Sequence, residues 1–124
     1  MFESRRLPAQ ADEYAPDGSE VRRLLRVAGG SMAHFRLAPG QTSSAVMHRS
    51  VEEIWYVLEG RGEIWRSQDG AAEIVALEPG LCLTIPLGTC FQFRAAPDEP
   101  VSLVAVTLPP WPGDDEAIPV AGAW

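Results

Sequence analysis

Turn-forming residues divide this chain into short apolar runs, and this spacing constrains the fold more than any other feature. Turn dipeptides recur at Gly29–Gly30, Pro39–Gly40, Asp69–Gly70 and Pro79–Gly80, where they supply the positive or fixed φ that a chain reversal needs. No segment shows the 3.6-residue apolar period of a helix. The pattern predicts an all-β barrel or sandwich, with strands near residues 21–27, 32–38, 45–49, 53–58, 63–67, 72–77, 82–86, 91–95 and 101–107.

Composition fits a single domain and excludes several functions. A chain of 124 residues with 46% apolar content can build one core. The net charge of −7 argues against a nucleic-acid partner. All ten basic residues are arginines, so no lysine is present to form a Schiff base with a substrate or with pyridoxal phosphate. We find no signal peptide and no run that could span a bilayer, and therefore expect a cytoplasmic protein without a membrane partner.

Two segments carry glycines and prolines at a characteristic spacing. In the first, Gly40 and Gly60 enclose His48 and Glu53. In the second, a Pro-Gly pair is followed after five residues by Pro-x-Gly, which corresponds to Pro79, Gly80, Pro86 and Gly88. These spacings resemble the two motifs of the cupin family. The segments VEEIWYVLEGRGEIW, LTIPLGTCFQFR and TLPPWPGDDEA further resemble small, single-domain bacterial cupins, often described only as mannose-6-phosphate-isomerase-like proteins.

The resemblance implies a fold and an approximate division of the chain. Cupins form a jelly-roll β-barrel, the double-stranded β-helix. We expect one domain over residues 1–124, with a barrel core at about 21–107, an N-terminal arm at 1–20 and a C-terminal arm at 108–124. The C-terminal arm is rich in proline, which favours an extended chain. Trp111 and Trp124 would pin this arm to the barrel or to a second subunit.

The same resemblance implies four metal ligands, of which this chain keeps two. His48 and Glu53 stand at ligand positions, whereas Val46 and Phe91 stand where the motifs have histidine. Glu52 is a second choice for the carboxylate. A catalytic divalent metal normally needs three protein ligands, so we predict no metal and no cofactor. The cavity should instead be an apolar pocket with a few polar groups, as small-molecule sites usually are.

Strand alternation assigns side chains to the inside or outside of the barrel. If Glu53 points inward, Trp55 and Val57 do too. The other face of this strand then carries an apolar set, Ile54, Tyr56 and Leu58, which must be covered by the terminal arms or by a partner subunit. We predict a homodimer.

Arg66 and His34 can be read in two ways. Arg66 shares a face with the apolar Ile64, so it either reaches the cavity or packs its stem at the rim. His34 lies on the face opposite Phe35 and Leu37, which favours a surface or strand-edge histidine.

Three functions remain open. In the first, a metal-independent isomerase, epimerase or cyclase uses His48 and Glu53 to move protons, because burial and mutual hydrogen bonding bring both pKa values toward neutrality. The small organic substrate would contact Val46, Trp55, Phe91 and Phe93, with Arg66 receiving an anionic group. The second is a ligand-binding or sensor module with the same pocket and no turnover. The third is a metal-dependent oxygenase or isomerase.

Overall fold

The computed structural model describes residues 1–124 and consists almost entirely of β-strands. The only helical element is a 3₁₀ turn at Asp114–Glu116. The strands are β1 Glu13–Tyr14, β2 Glu20–Val27, β3 Gly30–Leu37, β4 Val46–His48, β5 Glu52–Gly60, β6 Gly62–Gln68, β7 Ala71–Leu77, β8 Cys82–Ile85, β9 Cys90–Ala95, β10 Val101–Leu108 and β11 Ala117–Pro119.

Two antiparallel sheets form the two walls of a jelly-roll barrel. One sheet has the order β1-β2-β3-β10-β5-β8, and the other has the order β11-β4-β9-β6-β7. The core lies between them and includes fully buried side chains from both sheets, such as Leu37, Leu103, Ile64 and Phe93. The predicted all-β jelly-roll barrel is confirmed.

Alternation along β5 follows the predicted parity. Trp55 and Val57 are buried in the core, whereas Ile54, Tyr56 and Leu58 are each about two-fifths exposed or more, at 44%, 47% and 39%. Two glycines, the motif residue Gly60 and the nearby Gly62, fix the turn between β5 and β6. A Cβ on Gly60 would lie 1.7 Å from the Pro100 carbonyl oxygen, and one on Gly62 would lie 2.2 Å from that of Arg94, so only glycine fits.

Both terminal arms lie on the barrel and each contributes a short strand. In the N-terminal arm, the Pro8 carbonyl accepts a 2.8 Å hydrogen bond from Arg22 Nε on the outer face of β2. The adjacent His34 is only 5% exposed, so the prediction of a surface histidine is wrong. In the C-terminal arm, β11 pairs with β4. The side-chain amide of Gln92 bonds the backbone of Trp124, whose ring lies 4.0 Å from the Arg94 guanidinium carbon.

No helix in the molecule combines the length and apolar character that crossing a membrane requires.

Candidate functional site

A cavity of about 280 Å³ opens into the barrel between the two sheets and is bordered by the C-terminal arm. Strands β2, β3, β5 and β10 form one wall, and β4 and β9 form the other. Five of the seven residues predicted for the site line it: Val46, His48, Glu53, Trp55 and Phe91.

Strand register explains why these side chains meet. Val46 on β4 pairs directly with Phe91 on β9, which places the two apolar residues of the motifs side by side. On the facing sheet, Glu53 on β5 pairs with Thr107 on β10. Residues that pair in a sheet share a face, so each pair projects into the barrel together.

His48 and Glu53 approach each other at the cavity wall. Nδ1 of His48 lies 3.5 Å from Oε2 of Glu53, and both side chains are less than a tenth exposed. This separation is longer than a good hydrogen bond. The other carboxyl oxygen of Glu53 accepts a hydrogen bond of 3.3 Å from the Thr107 hydroxyl.

Aromatic rings hold the imidazole in place. The ring of His48 makes edge contacts with Phe91 and Trp111, with centroid distances of 5.2 and 5.1 Å. Trp55 meets the edge of Phe91 on the other side, at 5.8 Å. Edge-to-face pairs of this kind are favourable, so His48 and Trp55 are fixed around the ring of Phe91.

Burial has opposite effects on the two titratable groups. It raises the pKa of Glu53 to about 7, with the Thr107 hydrogen bond opposing the shift. It lowers the pKa of His48 to about 4, with the charge of Glu116 opposing the shift. A low dielectric disfavours the charged form of either group. The expectation that both pKa values approach neutrality therefore agrees with the shift of Glu53 and is wrong for His48, which is neutral at pH 7.

Two buried polar atoms of the cavity-lining residues make no hydrogen bond of good geometry within the protein, although both belong to side chains that interact with the carboxyl group of Glu53. They are Nδ1 of His48 and Nε1 of Trp55. Buried polar atoms in native proteins almost always find a partner, which can be a water or a ligand. The cavity therefore offers a bound molecule at least two polar groups within apolar walls.

The donor set does not fit a catalytic metal. The protein gathers no group of three or more His, Cys, Asp or Glu side chains suited to holding an ion. At the cavity, Val46 and Phe91 supply no donor atoms, and Glu52 is exposed on the opposite face of β5. Two donors fall short of the three that catalytic zinc sites and similar centres use.

Two predicted site residues lie outside the cavity. Phe93 is 1% exposed and packs in the core against Trp55, at 5.0 Å between ring centroids. Arg66 does face inward with Ile64, but it lies nearer the end of β6 and lines a different recess. Its guanidinium donates to the Thr84 carbonyl oxygen and to Glu73. The expectation that Arg66 reaches the substrate cavity is therefore wrong.

Sequence reasoning missed Thr107 and Trp111 as cavity residues. Thr107 could have been found, because it continues the inward alternation of Val101, Leu103 and Ala105 and is the polar member of that row. Trp111 was expected only as an anchor. Its backbone N–H bonds Ser31 Oγ at 3.0 Å, and its ring lines the cavity beside His48.

Comparison with known proteins identifies the family and the fold. The family model for the cupin domain matches the sequence over residues 33–107, well over half of the chain. The polyketide cyclase RemF from Streptomyces resistomycificus superposes with a TM-score of 0.75 at 20% identity, covering 98% of this chain and 87% of the cyclase. BH2720 from Bacillus halodurans gives 0.68 at 20% identity, over 82% and 76% of the two chains. KdgF from Halomonas sp. gives 0.65 at 18% identity, over 79% and 84%. No protein of curated function matches the chain.

Proposed function

The chain belongs to the cupin family, and we propose that its barrel binds a small organic molecule and isomerises, epimerises or cyclises it without a metal. Glu53 and His48 are the proposed catalytic residues. The observation that carries the proposal is their close approach, 3.5 Å between Nδ1 and Oε2, in a cavity where Val46 and Phe91 replace the other two motif ligands.

Glu53 has the properties of a proton carrier. With a pKa of about 7, it is present at neutral pH in both protonated and ionised forms, which suits a general acid–base group. The ionised carboxylate would accept a proton from a carbon next to a carbonyl group. The resulting carboxylic acid would return that proton to another position or to the other face, so the protonation of the enzyme is unchanged after one cycle.

Neutral His48 would assist as a hydrogen-bonding group rather than as an acid. A neutral imidazole has one N–H donor and one acceptor nitrogen. Its ring can therefore bind the substrate carbonyl or hydroxyl oxygen, or hold the carboxyl group of Glu53, without adding charge to the cavity. The unpartnered Nδ1 of His48 and Nε1 of Trp55 support a ligand that carries polar atoms on an otherwise apolar body. RemF supports the proposal only as an example of a cyclase with this fold.

A deuterium-exchange experiment tests the proposal and identifies the ligand at the same time. The purified protein is extracted, and any small organic molecule that co-purifies is identified by mass spectrometry. That molecule is then incubated in deuterated water with the wild type, with Glu53→Gln, and with Glu52→Gln as a matched control on the exposed face. We expect the wild type and Glu52→Gln to introduce deuterium at carbon, and Glu53→Gln to slow this by at least about 100-fold, the usual contribution of an acid–base group.

The outcomes separate the three functions. Stoichiometric binding without deuterium exchange would contradict catalysis and indicate a ligand-binding or sensor protein. Exchange that requires an added divalent metal, or that persists in Glu53→Gln, would contradict the metal-independent pair.

We also propose a homodimer formed through the outer face of β5. The N-terminal arm binds Arg22 on β2, and His34 on β3 is buried, but Ile54, Tyr56 and Leu58 stay exposed on one face. An apolar sheet face of this kind favours burial against a second copy. Both cysteines are unpaired, which favours the proposed cytoplasmic location because disulfides are rare there.

A further inference from the structure

A second recess, of about 310 Å³, lies between the β6–β7 hairpin and the turn that joins β8 to β9. It shares no lining residue with the first cavity. Phe91 lines the first cavity, whereas Arg66, its register partner on β6, lines the recess. Six of its nine lining residues are polar or charged, and the apolar ones are Ala71, Ala72 and Pro86.

Two buried donors in this recess lack a partner. They are Nε of Arg66 and Oγ1 of Thr89. The guanidinium of Arg66 is already fixed at its other end, because Nη1 donates to the Thr84 carbonyl oxygen at 2.7 Å and Nη2 donates to Glu73 at 2.6 Å. Thr89 is 3% exposed, and its backbone N–H bonds the Pro86 carbonyl at 3.1 Å. The guanidinium of Arg66 and the backbone of Thr89 are therefore held in position before anything binds.

The charges around the recess indicate what kind of molecule could bind there. Glu73 neutralises Arg66 across their ion pair, and the whole chain carries a net charge of −7. An anion entering the recess would approach the carboxylate of Glu73 and would be disfavoured. A neutral hydroxyl group can instead accept hydrogen bonds from the two free donors and donate one to Glu73, whose side chain is 61% exposed.

We propose that this recess is a second binding site for a neutral polyhydroxylated molecule, such as a sugar or polyol. Arg66 and Thr89 supply the fixed donors, and Glu73 supplies the acceptor. The site is independent of the proposed proton-transfer pair, because neither His48 nor Glu53 lines it.

Nuclear magnetic resonance can observe this site directly in the full-length ¹⁵N-labelled protein. D-Glucose is the probe, titrated to about 100 mM because a few hydrogen bonds give a Kd on the order of 1–10 mM. We expect saturable shifts of the Arg66 Nε–Hε and Thr89 amide signals, while the Trp55 indole signal in the first cavity stays in place.

A matched pair of variants isolates the hydroxyl group. Thr89→Val keeps the shape of the side chain and should weaken glucose binding at least about fivefold, since it removes one of the two free donors. Thr42→Val makes the same change outside the recess and should bind glucose like the wild type. Thermal melting of both variants checks that the fold is retained.

Three results would overturn the proposal. One is the absence of saturable shifts with glucose. Another is equal glucose affinity in folded Thr89→Val and the wild type. The third is saturation of the same signals by sodium phosphate but not by glucose, which would identify an anion site. None of these results bears on the deuterium-exchange test of Glu53.

Discussion

Replacing Glu53 with glutamine should change how the stability of the fold depends on pH. The substitution keeps the size of the side chain and removes its titratable carboxyl group. Burial moves the pKa of Glu53 from 4.5 to about 7. Between these values the folded protein holds a proton that the unfolded chain has released, so the contribution of Glu53 to the free energy of unfolding falls as pH rises.

The magnitude follows from the size of that shift. At about 1.4 kcal/mol per pKa unit, the free energy linked to Glu53 is about 3 kcal/mol. Below pH 4.5 the carboxyl group is protonated in both states and nothing is lost. Above the folded pKa of about 7, folding must bury a charge and the whole amount is lost. Relative to Glu53→Gln, the wild type should therefore lose about 3 kcal/mol of unfolding free energy between about pH 4 and about pH 8.

His48 contributes with the opposite sign in both proteins. Burial lowers its pKa from 6.5 to about 4. Between these pH values His48 is protonated in the unfolded chain but neutral in the folded protein, so the free energy of unfolding falls as the pH drops. In the wild type the trends of Glu53 and His48 oppose each other. In Glu53→Gln the Glu53 trend is absent while the His48 trend remains, so the variant should lose more stability on acidification than the wild type does.

Urea unfolding followed by tryptophan fluorescence, repeated across this pH range, measures the difference. Asp17, whose pKa is raised, and His34 and Glu116, whose pKa values are lowered, are present in both proteins and cancel in the comparison. Glu52→Gln, which changes an exposed neighbour on the same strand, should show the same pH dependence as the wild type. A difference between wild type and Glu53→Gln that does not vary with pH would refute the reasoning, because Glu53 would then be hydrated in the folded protein.

Three further predictions test the site and the assembly. Elemental analysis of protein purified without chelator should find well under one transition metal per chain, and one equivalent bound through His48 would contradict the metal-independent mechanism. Val46→His combined with Phe91→His should restore four ligands suited to nickel or zinc, so the melting temperature should rise with added metal; a folded variant with no such rise would mean that these positions do not converge. Tyr56→Glu should convert a sedimenting dimer into a folded monomer, and a wild type that is already monomeric at micromolar concentration would refute the proposed interface.

Most of the barrel could be predicted because its strands and turns are determined by residues close together in the sequence. Turn residues mark where strands end, and alternation marks which face is buried. On β5 this was sufficient to place Trp55 and Val57 inside and Tyr56 outside, as the structure confirms. The motif spacing placed Val46 and Phe91 at ligand positions, and both line the cavity, but their direct pairing on neighbouring strands was not predicted.

The burial and contacts of a residue were predicted less well where they depend on distant parts of the chain. Alternation placed His34 on the outer face of β3, but the neighbouring Arg22 on that face is bound by the N-terminal arm through the Pro8 carbonyl, and His34 is buried. Nothing in the strand itself signals that an arm lies over this part of the sheet. Arg66 shows the complementary error. The sequence correctly allowed Arg66 to point inward. It could not show that Arg66 would bind the Thr84 carbonyl on β8 instead of reaching the cavity, because that contact depends on how β6 packs against β8.

The loss of two motif histidines and the chemistry proposed for Glu53 have a common physical cause. Val46 and Phe91 pair across β4 and β9, so their substitution for histidine makes a continuous apolar patch rather than two isolated changes. That patch removes both the metal ligands and the polar surroundings that would stabilise a carboxylate. Glu53 lies on the facing wall, where Thr107 is its hydrogen-bond donor. Because the carboxyl group is buried away from water, its pKa is raised and it is partly protonated near neutral pH. Burial thus raises the pKa of the remaining carboxyl group to about 7, a value that suits the proton transfer we propose for Glu53.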